Sequence, residues 1–203
     1  MMREIVLPGD LLEEKPVRME NAFVENNKTY AKVLGMYDKE HSSLIALEGV
    51  YQPRIDDVVV GIISEVKNKV YEVDLAFFGR CLLIAGKYDR ETYKQGDVVE
   101  AVIKNIEDRK TIILTDARPL SGGTILQVKP TKIPRIIGKG STMIRQISDL
   151  AKCHVVVGKN GTVWMRGGNV ALATEAILTI EREAHLSGLT EKIKRMLEEQ
   201  KGN

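Results

Sequence analysis

The sequence changes character at Ser121-Gly122-Gly123, and this change constrains the fold more than any other feature. Before these residues, short apolar runs separated by turn-forming residues predict strands. After them, apolar residues also recur at the spacing of amphipathic helices. A chain of 203 residues has room for one large domain or for two to three small ones. The glycine pair therefore predicts a boundary between a β region and an α+β region.

The first 53 residues predict a small β domain. Their predicted strands span residues 3–7, 22–25, 30–34 and 43–47, with Pro-Gly-Asp, Asn-Asn-Lys and Asp-Lys-Glu turns between them. A unit of this size is near the limit at which a single hydrophobic core becomes marginal.

Residues 54–120 predict a second β domain with longer strands. The predicted strands span residues 58–66, 70–75, 80–84, 98–106 and 111–115, with a polar link around 88–94 and a turn at 108–110. The segments DDVVVGIISEV and GDVVEAVIKNI echo each other. Five strands in this arrangement predict an OB barrel, which binds oligonucleotides on one face.

Residues 121–203 predict a type I KH domain followed by a C-terminal helix. The order is a strand (124–128), a short helix (134–137), a glycine loop, an amphipathic helix (141–151), two strands (153–157 and 162–166) and a long helix. A β-α-α-β-β-α order with a glycine loop between the first two helices is that of a KH domain. The predicted fold class is thus multidomain β and α+β.

The charge pattern favours a polyanionic partner. The net charge is +2, but residues 129–166 carry eight Lys or Arg and one acid, Asp149. Such a local excess suits a nucleic acid, and the alternative is an ordinary solvated basic face.

The remaining chemistry predicts no catalytic centre, metal site or cofactor. Cys81 and Cys153 have no zinc or disulfide spacing. His41 lies in a different predicted domain from His154 and His185, and none of the three has a nucleophile motif or clustered carboxylates nearby. No apolar run approaches the roughly 20 residues that cross a bilayer, and the acidic start does not fit a signal peptide. We expect a soluble, cytoplasmic protein with no membrane partner.

Five motifs in register carry a family resemblance: VLPGDLL (6–12), GVYQPRIDDVVVG (49–61), VYEVDL (70–75), IPRIIGKGSTMI (133–144) and VGKNGTVWM (157–165). On these motifs and the domain order, the chain resembles the ribosomal RNA-processing protein four family of archaeal exosome cap subunits along almost its whole length. The resemblance implies an N-terminal β domain, an S-one-type OB barrel and a KH domain. It also implies no catalysis, but capture of single-stranded RNA above a hexameric ring of RNase PH-type subunits, with three copies per ring.

The first candidate RNA site is the KH loop. Where the family has G-x-x-G, this chain has Gly138-Lys139-Gly140-Ser141. Glycines let a phosphate approach the backbone, and the following helix offers free N–H groups. The basic candidates around the loop are Arg135, Lys139 and Arg145. The alternative for Ser141 is a plain N-cap residue.

The second candidate site is the barrel, which has few aromatic residues. A surface that follows a single strand is predicted from five residues: Lys67, Lys69, Tyr71, Phe77 and Arg80. Phe78 lies near the same edge. The alternative is that Tyr71 and one Phe fill the barrel.

Two further residues have structural interpretations. We interpret Asn160-Gly161 as a hairpin turn. Trp164 alternates with Val163 and Met165 in an apolar strand, which favours core or domain-interface packing over base stacking.

Two rival functions stay open. A free-standing OB/KH RNA-binding regulator would not need the N-terminal unit with VLPGDLL. A phosphorolytic nuclease that carries OB and KH domains would need a catalytic domain for which this length leaves no room.

Overall fold

The computed structural model describes residues 3–77, 79–84, 92–107, 111–184 and 188–201. Phe78, His185, the turn at 108–110 and part of the predicted link at 88–94 lie outside the described residues. The chain divides into two compact units, Met1–Val50 and Tyr51–Asn203.

The first unit contains two three-stranded antiparallel sheets. Its strands are β1 (Arg3–Val6), β2 (Leu11–Glu13), β3 (Ala22–Glu25), β4 (Lys28–Ala31), β5 (Gly35–Asp38) and β6 (Ser43–Ala46). The sheet orders are β1-β5-β6 and β2-β4-β3. The small core consists of Val6, Leu12, Ala31, Tyr37 and Leu44.

Two of these strands were not predicted. β2 has only three residues, and β5 begins at a glycine, which normally disfavours a strand interior. Gly35 is required there because a Cβ would lie 2.6 Å from Leu44 Cδ1 and 2.8 Å from Ile45 O. Close approach of neighbouring strands therefore overrides the propensity of the residue.

The second unit begins with a closed five-stranded barrel, which confirms the predicted OB fold. Its strands are β7 (Val58–Lys67), β8 (Val70–Asp74), β9 (Arg80–Ile84), β10 (Val98–Glu107) and β11 (Thr111–Pro119). The closed order is β10-β11-β9-β8-β7, and β9 runs parallel to β11. Tyr51 belongs to the barrel core with 8% exposure, before the predicted start at residue 54.

The echo between the two longest barrel strands corresponds to a local two-fold symmetry. Asp57 O accepts from Ile103 N at 2.9 Å, and Asp97 O accepts from Ile63 N at 2.8 Å. The pairing of Val58 with Val102 and of Ile62 with Val98 follows the same symmetry. The two similar segments thus occupy equivalent places in one antiparallel ladder.

The rest of the second unit confirms the predicted type I KH domain. Its elements are β12 (Thr124–Gln127), α1 (Ile133–Ile137), α2 (Thr142–Ala151), β13 (His154–Val157), β14 (Thr162–Arg166), α3 (Val170–Glu183) and α4 (Leu189–Lys201). The antiparallel sheet has the order β12-β14-β13. Helices α1–α4 and the sheet share one apolar core, which includes Ile136, Ile147, Met165, Ile177 and Ile193. The division between barrel and KH domain near residue 120 stays our interpretation.

The opposite face of this sheet packs against the barrel. Val60 of β7, Leu120 and Trp164 of β14 form a separate buried cluster. The indole N–H of Trp164 donates to Gly122 O at 2.6 Å, which ties the linker to the sheet. Trp164 therefore packs at the domain interface, as its alternation with core residues predicted.

The turn between β13 and β14 reinforces this contact. Lys159 N donates to Val58 O at 2.8 Å, and the amide side chain of Asn160 bonds both backbone groups of Val60. Asn160 also donates to Leu75 O at 2.9 Å. The predicted hairpin turn exists, but its asparagine also joins the two domains.

Among the described residues, no helix has the length and apolar character needed to cross a bilayer.

Candidate nucleic-acid interface

The KH loop between α1 and α2 has an unusual backbone. Gly138, Gly140 and Ser141 have φ values of 73°, 59° and 62°, in the left-handed region. A Cβ on Gly138 would lie 2.7 Å from Met143 Cβ and 2.9 Å from Met143 N. At Gly140 the same atom would meet nothing within 4 Å. The loop therefore packs tightly on one side and is open on the other.

Ser141 occupies the N-cap position of α2 but does not act as a cap. It is the residue before the helix, yet its side chain makes no capping hydrogen bond. The alternative of a plain N-cap is therefore correct in placing Ser141 directly before α2, but the capping hydrogen bond that it implies is not formed. The first backbone N–H groups of a helix have no acceptor within the helix, and a phosphate can accept hydrogen bonds from them.

Three exposed cations surround the loop: Arg135 on α1, Lys139 in the loop, and Arg145 on α2. The Arg145 guanidinium donates to Gly140 O, which holds it against the loop. Thr142 Oγ1 donates to Lys139 O at 2.9 Å. The structure thus brings together the predicted KH residues Arg135, Gly138, Lys139, Gly140, Ser141 and Arg145.

The barrel aromatics lie differently from the predicted RNA surface. Tyr71 is 3% exposed, and its ring packs edge-on against Tyr93 with centroids 5.2 Å apart. It fills the barrel, so its ring is not available for stacking. Phe77 is half-buried and contacts Tyr51 edge-on at 6.2 Å.

Two of the barrel cations lie beside acids rather than in a separate basic cluster. Lys67 and Lys69 lie at the turn between β7 and β8, whereas Arg80 begins β9 beside the far end of β8. The five residues of β8 separate these backbone positions by about 13 Å along the strand. The acids that Lys67 and Arg80 contact, Glu65 and Glu72, are nevertheless register partners across β7 and β8. Lys67 pairs with Glu65 at 2.7 Å, and Arg80 with Glu72 at 3.3 Å. These exposed ion pairs reduce the positive field of the barrel face.

The basic stretch 129–166 also divides between the two ends of the KH domain. Arg166 lies opposite His154 in the strand register, at the open end of the β13–β14 hairpin. Lys159 lies in the turn at the other end. Lys152 follows the last residue of α2, so it lies at the opposite end of that helix from the glycine loop. The local charge excess is therefore not a single surface.

The remaining reactive groups have structural contacts. Burial, with Asp74 and Glu72 nearby, raises the pKa of the Cys81 thiol to about 12. Burial also raises the pKa of Cys153, whose thiol donates to Gly167 O at 2.7 Å. His154 packs edge-on against Trp164 with ring centroids 5.5 Å apart.

One group of ligand-type residues was not predicted from the sequence. Asp38, Glu40 and His41 bring their oxygen and nitrogen atoms within 4.8 Å of one another. His41 Nδ1 and Asp38 Oδ1 lie 3.1 Å apart. The backbone N–H of His41 donates to the same oxygen. This geometry is that of a hydrogen-bonded turn.

Similarity to known proteins extends over nearly the whole chain. It is 37% identical to the exosome complex component Rrp4 of Pyrococcus furiosus, over 96% of this chain and 83% of that protein. This chain belongs to the Rrp4 family. The family resemblance expected from the five motifs is confirmed.

More distant Rrp4 relatives agree. The Rrp4 of Methanopyrus kandleri is 31% identical, over 95% of this chain and 92% of that protein. The Rrp4 of Pyrobaculum aerophilum is 32% identical, over 98% of this chain and 94% of that protein.

The domain families and a solved structure agree with the Rrp4 assignment. Residues 3–47 match the family described as the exosome RNA binding protein RRP4 N-terminal domain, and residues 123–199 match the KH domain family. A crystal structure described as that of an exosome complex RNA-binding protein has a TM-score of 0.65 and 27% identity. The match covers 75% of this chain and 97% of that one.

Proposed function

We propose that this chain is a non-catalytic, cytoplasmic RNA-binding cap subunit of an archaeal-type exosome. It captures single-stranded RNA and guides it into a hexameric ring of RNase PH-type subunits, which degrade it from the 3′ end. Membership of the Rrp4 family supports the assignment, as does the pairing of an OB barrel with a KH domain, two modules that bind RNA elsewhere.

The observation that carries RNA binding is the geometry of the KH loop. Gly140 leaves the backbone open to a phosphate, while Arg135, Lys139 and Arg145 supply three exposed positive charges. Ser141 leaves the first turn of α2 without a side-chain cap. A single strand bound in this way should show strong salt dependence, with a slope of about −0.7 in log K against log salt for each phosphate neutralised.

The side chains in the described part of the chain give no support to a catalytic role. The thiols of Cys81 and Cys153 are buried with raised pKa values, which disfavours the nucleophilic thiolate. Among the described contacts, His41 is bonded to Asp38 and His154 packs on Trp164. We therefore assign no catalytic residue, metal or cofactor to the chain and expect degradation to be carried out by the ring.

The N-terminal unit is the proposed contact with the ring. Ile5, Met36 and Ile45 are in register across β1, β5 and β6, so they lie on one face of the sheet. Ile5 is 69% and Ile45 50% exposed. A contiguous exposed apolar row of this kind marks a protein interaction site.

A second row on this unit has the same character. Leu11, Tyr30 and Phe23 are in register across β2, β4 and β3, and the rings of Phe23 and Tyr30 stack with centroids 5.6 Å apart. Leu11 is 43% and Phe23 40% exposed. We propose that binding to the ring covers both rows.

Reconstitution tests the proposal. The purified chain is mixed with RNase PH-type ring subunits, and the product is sized by light scattering and assayed with labelled single-stranded RNA. We expect a complex of three chains per hexamer that binds RNA more tightly than the bare ring. A chain that binds RNA but ignores the ring would instead be a free-standing RNA-binding regulator.

A further inference from the structure

We propose that Lys129, Lys132 and Lys159, here called the junction strip, bind RNA phosphates between the KH loop and the barrel. The strip would hold one continuous strand across both domains. The proposal rests on the proposed RNA binding and adds a site that neither the KH loop nor the barrel surface contains.

The position of Lys159 is fixed by its backbone. Its N–H donates to Val58 O at 2.8 Å, at the start of β7. The next residue, Asn160, is 3% exposed and bonds Val60 and Leu75 of the barrel. Because the turn cannot move relative to the barrel without breaking these bonds, the exposed side chain of Lys159 marks a fixed point on the domain boundary.

The other side of the same turn leads to Lys129. Val128 N donates to Gly161 O at 2.9 Å, and a Cβ on Gly161 would lie 3.1 Å from the Pro130 ring. Lys129 lies between these two contacts in sequence and is exposed. Lys129 and Lys159 therefore flank one packed junction, although they are far apart in the sequence.

Lys132 connects this junction to the KH loop. It ends the short 3-10 turn Pro130–Lys132, and α1 begins at the next residue. One short helix, α1, separates it from Gly138, which corresponds to about 9 Å at the helical rise per residue. The strip thus begins one short helix away from the phosphate site of the loop and continues to the start of β7.

The nearby carboxylates do not reverse the charge. Glu181 accepts the backbone N–H of Lys129 at 2.7 Å. Asp57 accepts the Tyr51 hydroxyl at 2.7 Å and the backbone N–H of Arg54 at 3.1 Å. These bonds orient both carboxylates without neutralising them, and the three lysines of the strip still outnumber Glu181 and Asp57. The chemistry of the strip suits a chain of phosphates, because these are spaced charges that lysines neutralise one at a time.

The test compares two triple variants with the same reduction in charge. The strip variant is Lys129→Gln, Lys132→Gln and Lys159→Gln. The control is Lys94→Gln, Lys152→Gln and Lys194→Gln, which changes exposed lysines outside the strip. Glutamine keeps the backbone N–H groups, so the bonds of Lys129 and Lys159 to Glu181 and Val58 survive. Thermal unfolding verifies that both variants are folded.

The measurement is the affinity for a fluorescent single-stranded RNA of about 12 nucleotides, within the range that one OB fold binds. Titrations run between about 50 and 200 mM salt. Because three phosphates are no longer neutralised, the strip variant should show a log–log salt slope smaller in magnitude by about 2. Wild type should therefore lose about 20-fold more affinity over this range than the variant. The control should keep the wild-type slope.

Each other outcome has a distinct meaning. A strip variant with the wild-type slope, or a control with the same reduced slope, would overturn the strip and leave RNA binding at the KH loop intact. Wild type that binds no RNA at any of these salt concentrations would overturn the proposed function and the strip together.

Discussion

The side-chain amide of Asn160 pairs with the backbone of Val60 in both directions, accepting from its N–H at 3.2 Å and donating to its carbonyl at 2.8 Å. One buried side chain thereby acts as a neighbouring strand would along this part of β7. The same NH2 group donates to Leu75 O at 2.9 Å, and Thr162 Oγ1 lies 2.8 Å from its nitrogen. The contact between barrel and KH domain is therefore specific and polar at its centre.

The first prediction concerns this residue. Asn160→Ala would leave three buried backbone groups of the barrel without partners, each costing about 1–3 kcal/mol. We expect the free energy of unfolding to fall by about 3–5 kcal/mol, measured by urea denaturation. The control Asn105→Ala, at an exposed position of β10, should change it by less than about 0.5 kcal/mol. An Asn160→Ala protein as stable as the control would contradict the assigned role.

The partners of Asn160 could not be predicted from the sequence, although its turn could. The Asn-Gly pair predicted the turn correctly, because turn preference is a local property. The partners Val60 and Leu75 lie 100 and 85 residues away, and no local pattern indicates them. Trp164 was easier, since its alternation with Val163 and Met165 in an apolar strand indicated packing in the core or at a domain interface.

The second prediction concerns Ser141. Its φ of 62° lies in the left-handed region, where a residue with a Cβ is disfavoured by about 1 kcal/mol and glycine is not. Ser141→Gly should therefore raise the stability by about 0.5–1 kcal/mol and leave RNA affinity equal or slightly tighter. Calorimetric melting checks the stability. Ser148→Gly, inside α2, should instead lower it. A destabilised Ser141→Gly protein would show that the hydroxyl has a role that the fold does not reveal.

The third prediction tests the charge at the KH loop. Arg135→Glu with Lys139→Glu replaces two attractive charges by two repulsive ones. RNA binding should weaken strongly at low salt and stay weaker at physiological salt, because direct contacts persist when the screening length shortens to about 8 Å. Fluorescence anisotropy at both salt concentrations provides the measurement, with Lys94→Glu and Lys152→Glu as the charge-matched control. A double variant equal to wild type at physiological salt would remove the loop from the RNA site.

The fourth prediction separates assembly from folding. Deleting residues 1–50 should abolish binding to the ring while residues 51–203 still fold and bind RNA, since these two segments are separate compact units. Co-elution with the ring on size exclusion is the test. Full-stoichiometry binding of the truncated chain would rule out the N-terminal unit as the main contact.

The site of this truncation matters. Tyr51 is buried in the barrel core, and its hydroxyl donates to Asp57 at 2.7 Å. A truncation that begins at residue 54 removes this ring, and we expect it to melt lower than the one that begins at residue 51. The difference should correspond to about 3–5 kcal/mol, the usual effect of losing a large core side chain.

The fifth prediction is that the isolated chain degrades no RNA. Incubation with labelled RNA, phosphate and Mg²⁺ should leave the substrate intact on a denaturing gel, because degradation is assigned to the ring. Adding the ring subunits to the same preparation provides the positive control. Processive 3′ shortening by nuclease-free protein alone would overturn the non-catalytic assignment.

The sequence predicted the barrel and the KH domain well, because their long strands and amphipathic helices have strong periodicity. It predicted the barrel surface less well. Tyr71 occupies a position that is compatible with a stacking ring or with the core, and only the closure of β7, β8 and β9 turns it inward. The ion pairs of Lys67 with Glu65 and of Arg80 with Glu72 were not predicted.

The burial of both cysteines makes the protein convenient for labelling chemistry. Cys81 and Cys153 are the chain's two cysteines, and they are 1% and 4% exposed. With a pKa of about 12, the Cys81 thiol stays almost entirely protonated at pH 8, and the pKa of Cys153 is also raised. Maleimides should therefore react with the native fold slowly. A single cysteine substituted for Lys139 or Lys159 could then be labelled with a fluorophore or photo-crosslinker with little labelling of the native cysteines. The unsubstituted protein would be the control for that residual labelling.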